Sequence, residues 1–164
     1  MSWTFKRWER YIGGNQMNFK ERKMKSNHNM SQVKRLFEEV FNKGDLSACH
    51  ELVSDTVKMH DPDPTEGLEA FKAKERLYQQ AFPQKRVRID DLFAINDKVV
   101  VRWTAQGVHR GELPGLPATG SEIKVTGISI YRLENDKISD IWQEWDRLGL
   151  LEQIGEVQPS YVFH

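Results

Sequence analysis

The chain has 164 residues, enough for one domain with a sizeable core. Its 24 Lys and Arg balance 24 Asp and Glu, so the net charge gives no reason to expect a nucleic-acid partner. The single cysteine, Cys49, excludes an internal disulfide and suits a reducing, cytoplasmic setting, and no apolar run approaches the ~20 residues that span a bilayer.

The charge is unevenly spread. Residues 1–30 carry seven Lys or Arg against Glu9 and Glu21, which leaves the body of the chain mildly acidic. Phe5, Trp8, Tyr11 and Ile12 have helical spacing among Lys6, Arg7 and Arg10. A short basic amphipathic helix, able to touch an anionic membrane or a partner, is one reading; an extension of little consequence is the plainer one. Gly13-Gly14-Asn15 interrupts the pattern. The stretch has no apolar signal core, and its two acidic residues argue against an organelle transit peptide. The expected organisation is a basic extension over 1–30, a folded domain over 31–155 and a tail over 156–164.

Order is expected from Ser31, a candidate N-cap. Val33, Leu36, Phe37, Val40 and Phe41 then follow the i, i+3, i+4, i+7, i+8 pattern of a helix facing a core, and Gly44 is a candidate stop. Asp45 begins a second short helix with Leu46, Cys49, Leu52 and Val53 inward. Thr56 to His60 reads as a short strand, closed by Asp61-Pro62-Asp63-Pro64, whose prolines force an extended loop. Thr65 is a candidate cap for a third helix with Leu68, Phe71, Tyr78 and Phe82 on one stripe, ended by Pro83.

From Arg86 the period changes to two. Strands are predicted over 86–94, 99–108, 122–133 and 137–145, joined by a turn at Asn96-Asp97, a Gly/Pro loop from Gly111 to Gly120 and a tight turn at Asn135-Asp136. Helices first and a curved antiparallel sheet after is an α+β layout. The apolar stripes of the helices must cover the concave face, giving a cone with an apolar pocket, a natural small-molecule site.

Asp146, where the last strand turns into an apolar tail, is the leading chemical residue. Alternation puts Trp142, Glu144 and Asp146 on one strand face, and Ile141, Gln143 and Trp145 on the other. If the first face lines the cavity, Trp142 shields Asp146 from water, raises its pKa and suits it to general acid or base work. If not, Asp146 caps the turn at Leu148 to Leu151. His60 is either a rim imidazole or a surface residue capping its loop; His60, Asp61 and Asp63 are too close in a rigid loop to hold one metal ion. Arg102, among Val99, Val100, Val101 and Trp103, needs a partner: a structural ion pair with Glu122, Glu144 or Asp146, or a substrate carbonyl or carboxylate. His109 falls on the opposite strand face from Arg102 unless a bulge intervenes near Gly107. No nucleophile elbow, phosphate loop, dinucleotide fingerprint or metal-ligand spacing occurs. Acid/base chemistry in a cavity, or plain binding, is what remains.

Three segments, VKMHDPDPTEGLEAFK at 57–72, FPQKRVRIDDLFAINDKVVVRWTAQGVHRGELPGLPATG at 82–120 and VTGISIYRLENDKISDIWQEWDRLGLLEQIG at 125–155, resemble the SnoaL-like polyketide cyclases, or ester cyclases, of the nuclear transport factor 2-like (cystatin-like) fold. The D-x-x-G-L-L-x-Q-x-G ending is the most telling piece. The resemblance implies a cone-shaped α+β barrel, commonly a homodimer through the sheet. It also implies cofactor-free and metal-free closure of a polyketide ring by intramolecular aldol condensation, with an acidic residue of the last strand as acid/base. Asp146 matches that position. His60, Arg102, His109 and Trp142 fall on family motif positions and would line or support the pocket, with His109 or His60 as the donor to the enolate oxygen; Glu144, on the same strand face as Asp146, is a further substrate-binding candidate. Two departures stand out: Ile141 where many relatives carry His before the strand's Trp, and Pro117-Ala118-Thr119-Gly120 where they read P-P-T-G. Three functions are open: a cyclase, lyase or isomerase acting on a small apolar carbonyl compound; a hydrolase or dehydratase with Glu144 as a second carboxylate; and a binding protein for an apolar ligand. A buried, unpaired Asp146 would favour the first.

Overall fold

The computed structural model describes residues 18–60 and 64–157. The possible basic helix at Phe5 to Ile12, the Asp61-Pro62-Asp63 part of the proline loop and the end of the tail lie outside these residues. The first helix, α1 (Phe19–Arg35), runs on as a π-helical segment over Leu36–Asn42. It starts twelve residues before Ser31. The Asn18 side chain accepts from the Glu21 backbone N–H, and the Glu21 carboxylate accepts from the Asn18 N–H, a reciprocal capping box. No apolar stripe marks these first turns, and Phe19 and Met24 are exposed. Further on, Val33, Leu36, Phe37 and Val40 are buried as their spacing predicts.

A short helix, α2 (Cys49–Leu52), leads into β1 (Val53–Met59). Cys49 is fully buried, and burial pushes its thiol up to about 11, so it is a core residue and a poor nucleophile. Thr65 does not cap a helix. It lies in a two-residue edge strand, β2 (Thr65–Glu66), paired with β1, and the N-cap of α3 (Leu68–Ala81) is Gly67 at φ 98°. Leu68, Phe71 and Phe82 are buried and Tyr78 packs against them.

Four long strands follow: β3 (Arg86–Ile95), β4 (Lys98–Val108), β5 (Glu122–Glu134) and β6 (Lys137–Trp145), ended by α4 (Arg147–Gln153). Asn96, Asn135 and Asp136 turn the two tight hairpins with positive φ, the conformation that short Asn and Asp side chains tolerate. The six-stranded sheet has the order β2-β1-β6-β5-β4-β3, antiparallel except where β1 lies parallel to β6. α1, α3 and α4 pack against it, and the core lies between them. The fold is the expected α+β architecture of helices on a curved sheet.

Two bulges set which side chains face that core. In β3 the register shifts between Ile89 and Asp91, which places both Asp90 and Asp91 beside Arg102. In β6 it shifts around Ser139, between the Leu133–Ile138 and Arg132–Asp140 pairs. Ile138 and Ile141 are therefore both buried inward, three residues apart.

Candidate functional site

The core side of the sheet and the helices enclose a cavity of about 120 Å³. Its walls are largely aromatic and aliphatic: Phe37 and Phe41 from the π-helical segment, Phe71 and Tyr78 from α3, Trp103 from β4, Tyr131 from β5, and Ile141 and Trp145 from β6. Leu150 of α4 closes one side. Trp103 is fixed by a buried hydrogen bond from its Nε1 to Ser129 Oγ at 2.9 Å, and its ring occupies the space that a side chain at Gly127 would need. Burial holds the Tyr131 hydroxyl well above its ordinary pKa, with a hydrogen bond to Ser129 opposing. It is a neutral phenol at any physiological pH.

Few polar groups reach this space. Gln143 comes from β6, Lys74, Glu75 and Tyr78 from α3, and Lys85 from the α3–β3 connection. Lys85 Nζ lies 3.4 Å from Glu75 Oε2, with both side chains 13% exposed. Its ammonium sits 5.9 Å from the Phe41 ring centre and 5.7 Å from that of Tyr78. This group carried no signal in periodicity or motif, because it forms only when α3 and the following connection fold back over the sheet.

The residues singled out in the sequence fall elsewhere. The cavity takes Ile141, Gln143 and Trp145, so Trp142, Glu144 and Asp146 point the other way. Counting by twos from the buried Ile138 would put the second set inward; the Ser139 bulge reverses the phase. Asp146 is exposed, and its Oδ1 accepts from Gly149 N–H at 2.8 Å, capping α4. Gly149 has no Cβ to crowd that carboxylate. Trp142 lies on the outer face, stacked on His60 at 4.5 Å and 3°, with Lys98 Nζ 5.2 Å from its ring centre. His60 pairs with Asp140 at 2.9 Å. Glu144 is exposed on the same outer face.

Arg102 takes the structural role, with Asp90 and Asp91 as its partners rather than Glu122, Glu144 or Asp146. It is half-exposed, bonds Asp91 at 2.6 Å and Asp90 at 3.3 Å, and does not line the cavity. The β4–β5 register is regular through Gly107, so Arg102 and His109 do face opposite sides. His109 is fully buried against Phe82, with ring centres 5.3 Å apart, and its Nδ1 contacts Thr119 Oγ1 at 3.1 Å. Its Nε2 makes no hydrogen bond among the described residues, and Phe82 rather than His109 borders the cavity. Among the described residues no group of three His, Cys, Asp or Glu converges as metal ligands would, and no helix is long and apolar enough to cross a membrane.

An apolar cone with a few convergent polar groups has the lining typical of small-molecule sites. A sequence profile of the SnoaL-like polyketide cyclases matches residues 31–154. The aklanonic acid methyl ester cyclase DauD of Streptomyces sp. (strain C5) is 31% identical over 68% of this chain and 69% of its own. DnrD of Streptomyces peucetius, of the same description, is 32% identical over 62% of this chain and 70% of its own. A crystal structure from Jannaschia sp. CCS1, described as a SnoaL-like polyketide cyclase, covers 89% of this chain and 100% of that one, with a TM-score of 0.76 and 21% identity, a likeness that speaks for the fold. Profile, relatives and cone-shaped fold agree: the chain belongs to the SnoaL-like polyketide cyclase family.

Proposed function

We propose that this protein is a cyclase that closes a ring in a small apolar carbonyl compound by proton transfer, without a cofactor. The observation that carries this reading is the aromatic cavity into which only a handful of polar side chains project. Such a pocket folds an apolar chain so that its reacting carbons meet and excludes the water that would quench a carbanion. Asp146 is the acid/base that the resemblance implies. Its chain neighbours Trp145 and Leu150 border the cavity, while its own carboxylate faces solvent and must turn to reach a ligand there. To act there it must leave its bond to Gly149, a helix cap worth about 1 kcal/mol. Substrate contacts in the cavity can offset that cost. The amide of Gln143 faces the cavity and suits the developing enolate oxygen better than His60 or His109, which do not border it.

The test is turnover of aklanonic acid methyl ester, the compound for which two relatives are named, by wild type and Asp146→Asn. Asn caps a helix as well as Asp, so the variant should fold normally. Turnover should fall by about 10²–10⁴; full turnover in the variant removes Asp146 from the mechanism. A binding role without catalysis is the second reading, favoured by the exposure of Asp146 and its commitment to α4. It predicts ligand retention with no turnover even in wild type. Pairing of two copies through the outer sheet face belongs to the same proposal, since Phe93, Ile95 and Ile128 stand exposed there.

A further inference from the structure

The charges in the cavity wall do not balance. Among the described residues its lysine and carboxylate side chains are Lys74, Glu75 and Lys85, so this part of the wall carries one more positive charge than negative. Among the described residues no carboxylate pairs with Lys74. Glu75 answers Lys85 only loosely, at 3.4 Å, against about 2.7–2.9 Å for a close charge-assisted hydrogen bond. An ammonium has three donors. Here one points at Glu75, and the rings of Phe41 and Tyr78 stand 5.9 and 5.7 Å from the charge. The rings also hold water away, which strengthens any new ion contact made at Lys85. Lys85 also borders a surface depression lined by Lys43 and Arg86 with Glu38.

We infer that Lys85, supported by Lys74, forms an anion-accepting subsite that takes an anionic oxygen, carboxylate or enolate, carried on an otherwise apolar ring system. This rests on the cavity being the substrate site. The cavity's size sets the ring class: an engineered cavity of about 150 Å³ takes up one benzene ring, so about 120 Å³ encloses a ring of that order while the rest of the ligand extends through the mouth. Glu75 holds the ammonium in place and competes with the ligand for it.

The experiment is calorimetric titration of the full chain with 2-naphthoate and with its neutral methyl ester. Wild type should bind the naphthoate about tenfold more tightly or better, the ratio that one modest charge contact yields. Lys85→Met should bring the two affinities together, and Glu75→Gln should widen the gap by removing the competitor. Should Lys85→Met fail to fold because Glu75 is left unpaired, the double variant Lys85→Met/Glu75→Gln carries no such orphan and should likewise show no preference. Equal binding of both probes to wild type, or a preference that survives loss of Lys85, overturns the anion subsite and leaves the cavity reading standing. Binding of neither probe overturns both.

Discussion

Asp140 sits where three donors meet on the outer face of the sheet. His60 Nε2 lies 2.9 Å away, Ser139 Oγ 2.8 Å and Arg132 2.9 Å. Burial pushes its pKa up, but the hydrogen bonds from His60 and Ser139 and the Arg132 charge outweigh it and hold the carboxyl below its ordinary value. The folded-state value is therefore depressed. Its stabilisation is fully present above the unfolded carboxylate value of about 3.9 and is lost as pH falls through the lower folded value. Asp140→Asn should be less stable at neutral pH and should lose less than wild type between pH 5 and pH 2, as read from urea unfolding at each pH. Parallel curves would show that the pairing adds nothing to stability. Arg102 followed the bland alternative open to a mid-strand arginine, an ion pair across neighbouring strands with Asp90 and Asp91. The sequence showed that it needed a partner; the β3 bulge decided which.

Helices and strands were legible to different depths. The β3 to β6 hairpins could be read because Asn-Asp turns and two-residue alternation are local properties of the chain, and the observed strands fall within a residue or two of expectation. The helical stripe from Val33 to Phe41 was legible for the same reason. The start of α1 was missed because its first turns bury little; a capping box, Asn18-x-x-Glu21, was the signal available. Farther along, Gln32 and His28 tie the helix to Asp136 in the β5–β6 turn. Asn18→Ala should cost about 1 kcal/mol at the cap, yet its effect should stay local. Amide exchange at residues 21–24 should accelerate while the global urea midpoint stays in place; a shifted midpoint would mean that these turns belong to the cooperative core.

At the scale of the molecule, one sheet divides two environments. Its concave side holds the cavity, and its outer side shows Phe93 and Ile128 about half-exposed and Ile95 more so. If two copies pair there, Ile128→Lys should shift wild-type dimer toward monomer in sedimentation velocity with little loss of monomer stability, since an exposed site tolerates a charge; a wild type that sediments as a monomer ends the idea. The sequence by itself determined the α+β class, the curved antiparallel hairpins, the apolar faces and the family, because these follow from local periodicity, turn chemistry and motif. Only the tertiary structure decided which face of β6 meets the cavity. Both faces carry a tryptophan, and a single unpaired residue at Ser139 inverts every side chain after it. That inversion turned Trp142 and Glu144 outward and left the cavity's polar wall to Gln143 of β6 with Lys74, Glu75 and Lys85, from segments that meet only after the helices close over the sheet.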